Sequence, residues 1–314
     1  MLRHARKHAG TIAVAIVTAA ATAAAPAVAR TVADFAKRAG FAKKAGKAKK
    51  ANFATNAGRL DGLDSTAFSL TTHTHDLRYQ VKYARTVVVS PVGTAAQNGA
   101  VLLGAVNSIT NASEANRFLL KIEPGVYDLG AIPFQMRPFL DIEGSGELAT
   151  TITGVGGFDK AEGSTLHGAS NAELRFLTVK NTGGAGLAFS IAIFANSAAL
   201  RMTHVTAEAT GNGAGQAYGL YNEASSPGLI ETTLAASGAT TNVGLGNTAT
   251  GGSFTVTVDR SKISGNTNTI MNESEFTTLV GVSQLSGGPV AGGGIKKCAG
   301  VYDQDYTTLG DTCV

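Results

Sequence analysis

Four consecutive segments decide the fold, because the same residues return in each of them. Their sequences are FANSAALRMTHVTAEATGNG (194–213), LYNEASSPGLIETTLAASGA (220–239), LGNTATGGSFTVTVDRSKISGN (245–266) and IMNESEFTTLVGVSQLSGG (270–288). Each segment has an asparagine near its start, and these residues are Asn196, Asn222, Asn247 and Asn272. A glycine series keeps nearly the same step, at Gly184, Gly211, Gly238, Gly265 and Gly287. A fixed period of about 25 residues is typical of a repeat architecture.

Short strands, rather than helices, fill each repeat. Residues 172–180 and 254–258 alternate apolar and polar side chains, and Ser, Thr and Gly separate such runs. A rung of about 25 residues holds three short strands and three turns, which predicts an all-β solenoid, a right-handed parallel β-helix. Equivalent residues then stack about 4.8 Å apart. The four asparagines are therefore predicted to form a structural ladder, in which each amide donates to the next.

Residues before the repeats predict the start of the coil. Residues 94–109 place Ala, Val and Leu at helical spacing, which predicts a helix that caps the coil. The sequences KIEPGVY (121–127) and IEGSGELATTITG (142–154) follow. They resemble the first rungs of pectinesterase-like and other pectin lyase-fold proteins. With the repeats, the resemblance implies this fold over about residues 86–290.

The resemblance does not transfer a catalytic set. Pectinesterases use two Asp residues in characteristic motifs, with an Arg and a Trp, and this sequence has neither motif and no Trp. The best stacked polar residues are Arg175, Arg201, His204 and Glu231, a set that could bind acidic sugars. An ordinary solvated polar face is the alternative interpretation.

Two weaker candidates complete the search for site residues. Asp159, Glu162 and His167 fall in a predicted loop between rungs. Glu143, at the start of the coil, is predicted to bond a turn instead of taking part in a site.

The N-terminal residues predict export from the cytoplasm. Arg3, Arg6 and Lys7 precede the apolar stretch 11–25, and Ala27-Val28-Ala29 resembles a cleavage site. This pattern predicts a Sec-type signal peptide over residues 1–29 and a secreted or cell-surface protein. An uncleaved anchor helix is the alternative.

Positive charge is concentrated before the coil. Residues 1–60 contain 12 Lys and Arg against one acid, a net charge of +11, whereas residues 61–314 contain 14 against 21, a net charge of −7. The basic segment 30–56 is predicted to be a helical or disordered arm, either a solvated linker or a tether to an anionic surface. Because the coil itself is acidic, specific nucleic-acid binding is not expected.

A junction over residues 57–85 carries a second resemblance. The sequence NAGRLDGLDSTAF (56–68) is similar to short segments of bacterial surface proteins and phage tail-fibre-like proteins. His73-Thr74-His75 resembles the H-x-H motifs of trimeric tail fibres. That resemblance implies a homotrimer with a transition metal at its axis, held by His73 and His75. Two exposed histidines are the alternative, and no other cofactor is expected.

Cys298 and Cys313 are the two cysteines of the chain. In an exported protein they predict one disulfide, which closes a C-terminal cap over residues 291–314. Two functions remain open at this point. The first is a secreted or cell-surface β-helix protein with a structural or glycan-contacting role, whose partner is a polysaccharide or cell-envelope polymer. The second is an enzyme, a carbohydrate esterase or polysaccharide lyase, acting on acidic polysaccharide.

Overall fold

The computed structural model describes residues 59–60, 63–64, 83–213 and 215–314. The chain divides into two units, residues 1–81 and 82–314. In the first unit, β1 (Arg59–Leu60) pairs antiparallel with β2 (Leu63–Asp64). The predictions for the signal peptide, the basic arm and the metal ligands His73 and His75 lie outside the described residues.

The second unit is a coil whose described strands form three parallel faces. Face 1 consists of β3 (Arg85–Val89), β4 (Phe118–Ile122), β7 (Leu140–Glu143), the first parts of β10 (Glu173–Asn181) and β12 (Arg201–Thr210), β14 (Gly228–Ile230), β17 (Phe254–Asp259), β20 (Phe276–Gly281) and β23 (Ile295–Ala299). Face 2 consists of β5 (Gly125–Asp128), β8 (Thr150–Gly154), the second parts of β10 and β12, β15 (Thr233–Ser237), β18 (Lys262–Gly265) and β21 (Gln284–Gly287). Face 3 consists of β6 (Phe134–Gln135), β9 (Ser164–His167), β11 (Phe189–Asn196), β13 (Gln216–Glu223), β16 (Thr241–Thr248), β19 (Asn268–Asn272) and β22 (Val290–Ala291). The predicted right-handed parallel β-helix is confirmed.

Inward side chains of successive rungs stack into continuous apolar columns. On face 1, Leu120, Ile142, Leu174, Met202 and Leu229 are in register and almost completely buried. Each such side chain contributes about 1.5–3 kcal/mol relative to an exposed position. Because strand side chains alternate, the residues on either side of this column point outward and are available for a site.

A helix covers the start of the coil, as predicted. It is α1 (Ala95–Ser108), and its N-cap residue Thr94 forms a capping box with Gln97. Leu102 and Val106 are buried against the coil. This contact shields the apolar interior of the first rungs from water.

The bend between faces 1 and 2 repeats an unusual backbone conformation. Phe176, His204, Glu231, Arg260 and Val282 all have positive φ, between 46° and 56°. A non-glycine residue in this region costs about 1–2 kcal/mol. Backbone hydrogen bonds between rungs flank the bend, for example from Glu231 N to Asp259 O at 3.0 Å. Their repetition holds the same bend in each rung.

The asparagine ladder includes three of the four predicted residues. Asn222 Nδ2 donates to Asn247 Oδ1 at 2.9 Å, and Asn247 Nδ2 donates to Asn272 Oδ1 at 3.0 Å. All three side chains are buried. The prediction for Asn196 is wrong, because the strand register pairs Ala195 with Asn222 and leaves Asn196 exposed beside Glu223.

The coil continues beyond the predicted limit at residue 290. β23 pairs in parallel with β20, so the first part of the predicted cap is a further strand of face 1. The predicted disulfide joins Cys298, on β23, to Cys313, with a Cα–Cα distance of 5.2 Å. The segment between them folds back, and Leu309 N donates to Val301 O at 2.9 Å. No helix of the described residues is long and apolar enough to cross a membrane.

Candidate functional site

Charged side chains converge on the outer surface of face 1, across the rungs from β4 to β12. On β7, Asp141 and Glu143 flank the buried Ile142, and on β10, Glu173 and Arg175 flank the buried Leu174. Alternation along each strand therefore directs these four side chains outward. The whole set is the face 1 cluster, which consists of Tyr83, Arg117, Lys121, Asp141, Glu143, Glu173, Arg175 and Arg201.

Glu143 is held as a carboxylate by two cations. Its Oε2 accepts hydrogen bonds from Arg175 Nε at 3.0 Å and Nη2 at 2.9 Å, and Lys121 Nζ lies 3.3 Å from its Oε1. Partial burial opposes the charge, but the hydrogen bonds and positive charges of Arg175 and Lys121 outweigh it and lower the pKa of Glu143. This interaction corrects the prediction that Glu143 bonds a turn.

Glu173 connects the two arginines of the predicted site. Arg175 Nη1 lies 2.9 Å from Glu173 Oε2, and Arg201 Nε lies 3.6 Å from Glu173 Oε1. Thr203 Oγ1 donates to Glu173 Oε1 at 2.7 Å. The two arginines are therefore close, but they are not stacked as predicted. The register pairs Glu173 with Arg201 and Arg175 with Thr203. Equivalent positions of β10 and β12 are therefore 28 residues apart, whereas Arg175 and Arg201 are 26 residues apart.

Asp141 lies at the bottom of the cluster, under Tyr83. Its Oδ2 accepts from Tyr83 Oη at 2.8 Å, and its Oδ1 accepts from Glu173 N at 2.8 Å. Arg175 Nη2 donates to Tyr83 Oη at 3.1 Å. Burial of the phenol and its bond to Asp141 raise the pKa of Tyr83 to about 12. The Tyr83 ring thus shields Asp141, whose side chain is 2% exposed.

Two cations of the cluster, Lys121 and Arg201, extend further into solvent than its carboxylates. The side chains of Glu143 and Glu173 are 20% and 18% exposed, against 48% for Lys121 and 62% for Arg201. The carboxylates lie close to the sheet, and the longer side chains of Lys121 and Arg201 extend past them. The most exposed charges that this cluster presents to a ligand are therefore those of Lys121 and Arg201.

The other two predicted residues lie at the neighbouring bend. His204 Nε2 is 2.5 Å from Glu231 Oε2, and Arg260 Nε donates to Glu231 Oε1 at 3.0 Å. The His204 ring stacks on Phe176, with centroids 5.2 Å apart. Hydrogen bonding from Arg260, together with the charge of His204, lowers the pKa of Glu231. The four predicted residues therefore form two groups, one at Glu173 and one at this bend.

The loop candidate does not assemble into a catalytic set. Asp159 Oδ1 accepts a hydrogen bond from the backbone N of Glu162 at 2.8 Å, and His167 Nε2 bonds to Ala161 O at 2.9 Å. Asp159 thus interacts within its own loop, whereas His167 is on β9, not in the predicted loop, and bonds to the loop from there. In the part of the chain that the structure describes, no group of three or more His, Cys, Asp or Glu residues could hold a metal ion.

Sequence reasoning missed five members of the face 1 cluster, which are Tyr83, Arg117, Lys121, Asp141 and Glu173. Asp141 and Glu173 alternate with buried residues in LDIE (140–143) and ELRF (173–176), so their outward direction was detectable. Tyr83 precedes the first rung and is 92 residues from Arg175. No periodicity relates it to the coil, so no sequence signal indicated its position.

Comparison with known proteins finds similar solved structures, but no matching family model or curated protein. A pectin methylesterase in complex with a hexasaccharide is 11% identical, with a TM-score of 0.46 over 74% of this chain and 92% of that chain. Carrot pectin methylesterase is 14% identical, with a TM-score of 0.41 over 72% and 78%. The A-module of a mannuronan C-5 epimerase from Azotobacter vinelandii is 10% identical, with a TM-score of 0.29 over 70% and 74%.

The fold is a parallel β-helix. This conclusion comes from the strand pairing of the chain itself, in which faces 1, 2 and 3 consist of parallel strands. One fold of this kind supports many chemistries, so the function has to be argued from the face 1 cluster.

Proposed function

We propose that the chain is a secreted or cell-surface β-helix protein that binds an acidic polysaccharide through the face 1 cluster. One observation carries the proposal: Lys121 and Arg201 extend into solvent above half-buried carboxylates. A sugar carboxylate would meet these cations before it meets Glu143 or Glu173. Charge-assisted hydrogen bonds from Lys and Arg are the usual means of binding carboxylates.

The spacing of the two cations favours a polymer over a single sugar. Lys121 is on β4 and Arg201 is on β12, three rungs apart on the same face. Adjacent strands are about 4.8 Å apart, so the two positions are separated by about 14 Å along the coil. That distance is greater than the width of one sugar ring. A uronate oligomer running along the coil would contact both.

The carboxylates of the cluster hold its cations in position before the ligand arrives. Glu143 contacts Lys121, and Glu173 contacts Arg201. Side chains that are already ordered lose less entropy on binding. The carboxylates therefore have a positioning role in this proposal.

Enzymatic turnover is the second candidate, and one observation favours it. Asp141 and Glu143 project from the same strand, with Arg175 on the next rung, so two carboxylates and a guanidinium share one surface. Against it, Asp141 is covered by Tyr83, and the lowered pKa of Glu143 does not suit a proton donor at neutral pH. We therefore rank binding first.

Charge-removing variants of the full chain test the proposal. In Lys121→Gln/Arg201→Gln, the affinity for hexagalacturonate measured by calorimetry should fall about tenfold, because two exposed charge contacts are lost. Wild-type binding should be weaker when the same titration is done at high salt, because salt screens the exposed charges. Lys180→Gln is the matched control, since Lys180 is 42% exposed but lies on face 2.

The basic arm is present in all three proteins, so its contribution to affinity cancels in the comparison. Equal affinities of the double variant and the Lys180→Gln control would reject the face 1 cluster as the binding surface. Shortened or unsaturated products in the recovered ligand would favour the enzymatic alternative.

A further inference from the structure

A second surface, on face 3, has a different composition from the face 1 cluster. Outward side chains of β11, β13 and β16 form an apolar group that is separate from the core of the coil. Its buried members are Ile191, Phe194, Tyr218, Tyr221 and Val243. The rings are in contact: the centroids of Tyr218 and Tyr221 are 4.7 Å apart, and those of Phe194 and Tyr221 are 5.8 Å apart.

The loop of residues 156–163 is attached beside these aromatic side chains by hydrogen bonds. Gly157 N donates to Phe189 O at 2.9 Å, and Phe189 N donates to Gly157 O at 3.0 Å. At the other end of the loop, the His167 ring bonds to Ala161 O at 2.9 Å. The loop is thus held from both sides. These hydrogen bonds fix the position of the loop beside face 3.

Between the loop and face 3 is a groove of about 400 Å³, within the range of about 300–1,000 Å³ that is usual for small-ligand sites. We call it the face 3 groove; its lining includes Phe158, Asp159, Lys160, Phe194, Asn196 and Glu223. Phe158 is 72% exposed, so its ring is open to a ligand. Asn196, which the strand register excludes from the asparagine ladder, is an exposed amide at this groove.

The carboxylates of the groove disfavour an anionic ligand, and the position over the Tyr221 ring that a cationic ligand would take is already filled. Lys160 Nζ lies 4.5 Å from the centroid of the Tyr221 ring, so the chain's own cation occupies the cation–π position. A cationic ligand would have to compete with that lysine. Asp159 and Glu223 line the groove, and their carboxylates repel an anion. A neutral polar ligand meets neither obstacle.

We propose that the face 3 groove binds a neutral sugar residue of a glycan. An exposed aromatic ring packs against the apolar face of a sugar, as Phe158 can do here. The Asn196 amide and the carboxylates of Asp159 and Glu223 offer donors and acceptors to its hydroxyl groups. This site is on a different face from the face 1 cluster and takes a ligand of different charge, so it goes beyond the function proposed above.

Tyrosine fluorescence of the full chain tests this site, since the sequence contains no Trp and Tyr218 and Tyr221 lie beside the groove. The probes are neutral gluco-, galacto- and manno-configured hexasaccharides and a cationic glucosamine hexasaccharide. At least one neutral probe should bind more tightly than the cationic probe; hexagalacturonate is not used in this comparison, because Tyr83 in the face 1 cluster also reports its binding. Phe158→Ala should weaken that binding about tenfold.

Two controls separate the groove from other effects. Leu148→Ala removes another fully exposed apolar side chain and should leave binding unchanged. Lys121→Gln/Arg201→Gln should also leave neutral-sugar binding unchanged, whatever it does to hexagalacturonate. The proposal is overturned if no neutral probe binds, if the glucosamine probe binds more tightly, or if Phe158→Ala binds as wild type does.

Discussion

At Asn247 two amide–amide hydrogen bonds meet inside the coil. It accepts from Asn222 and donates to Asn272, and its Nδ2 also lies 3.1 Å from Thr278 Oγ1. A buried amide that loses its partner costs about 1–3 kcal/mol. The stability of the coil therefore depends on the few buried amides of this ladder.

Replacing Asn247 with Leu should lower the free energy of unfolding by about 2–4 kcal/mol, because the amides of Asn222 and Asn272 each lose a partner. Urea denaturation measures the change. Asn196→Leu is the control, since Asn196 is exposed and outside the ladder, and it should change stability by less than about 0.5 kcal/mol. Similar losses in both variants would contradict the observed register.

The lowered pKa of Glu143 predicts that the stability of the folded protein depends on pH. A carboxyl group whose pKa is lower in the folded state stabilises the protein above its unfolded pKa of about 4.3, and that contribution is lost as the pH falls through the folded pKa. The stability difference between wild type and Glu143→Gln should thus be greatest near neutral pH and shrink in acid. Urea denaturation across this range, with the exposed Glu162→Gln as control, checks it. A difference that grows in acid would contradict the assigned ion pairs.

At the scale of elements, the sequence could predict the residues whose positions are set by the repeat period. The positions of Asn222, Asn247 and Asn272 follow from a step of 25 residues, and each is in register with the next. The step from β11 to β13 is 27 residues, whereas Asn196 and Asn222 are 26 residues apart, so Asn196 is one position out of register. No composition signal reports this longer rung. Tyr83 reaches Asp141 across 58 residues of chain, a contact set by how the segment before β3 lies on face 1.

The last strand of face 1, β23, is held by a disulfide as well as by its pairing with β20. The Cys298–Cys313 bridge closes a loop with a sequence separation of 15 and holds the folded-back segment against β23. Cys298→Ser/Cys313→Ser should lower the free energy of unfolding by about 3 kcal/mol. Thermal unfolding of this variant should match that of the reduced wild type. A melting temperature equal to that of the oxidised wild type would show that the cap does not stabilise the coil.

On the scale of the whole molecule, charge is distributed unevenly along the chain. A segment of net charge +11 precedes a body of net charge −7, yet within that acidic body the most exposed charges of the face 1 cluster are the cations Lys121 and Arg201. The face 3 groove lies elsewhere on the same coil and combines carboxylates with aromatic rings. Because the first surface is proposed to bind acidic sugars and the second neutral sugars, the coil would be able to contact a glycan that contains both.

The most direct test compares hexagalacturonate with its fully methyl-esterified form, in which each carboxylate is replaced by a neutral methyl ester. Both are titrated into the full chain carrying Phe158→Ala, so that the contribution of the face 3 groove is reduced. The acid should bind about tenfold more tightly than the ester, and adding Lys121→Gln/Arg201→Gln, which leaves the basic arm in place, should remove most of this preference, because Lys121 and Arg201 recognise carboxylates. Equal binding of the two forms, or tighter binding and demethylation of the ester, would contradict this prediction.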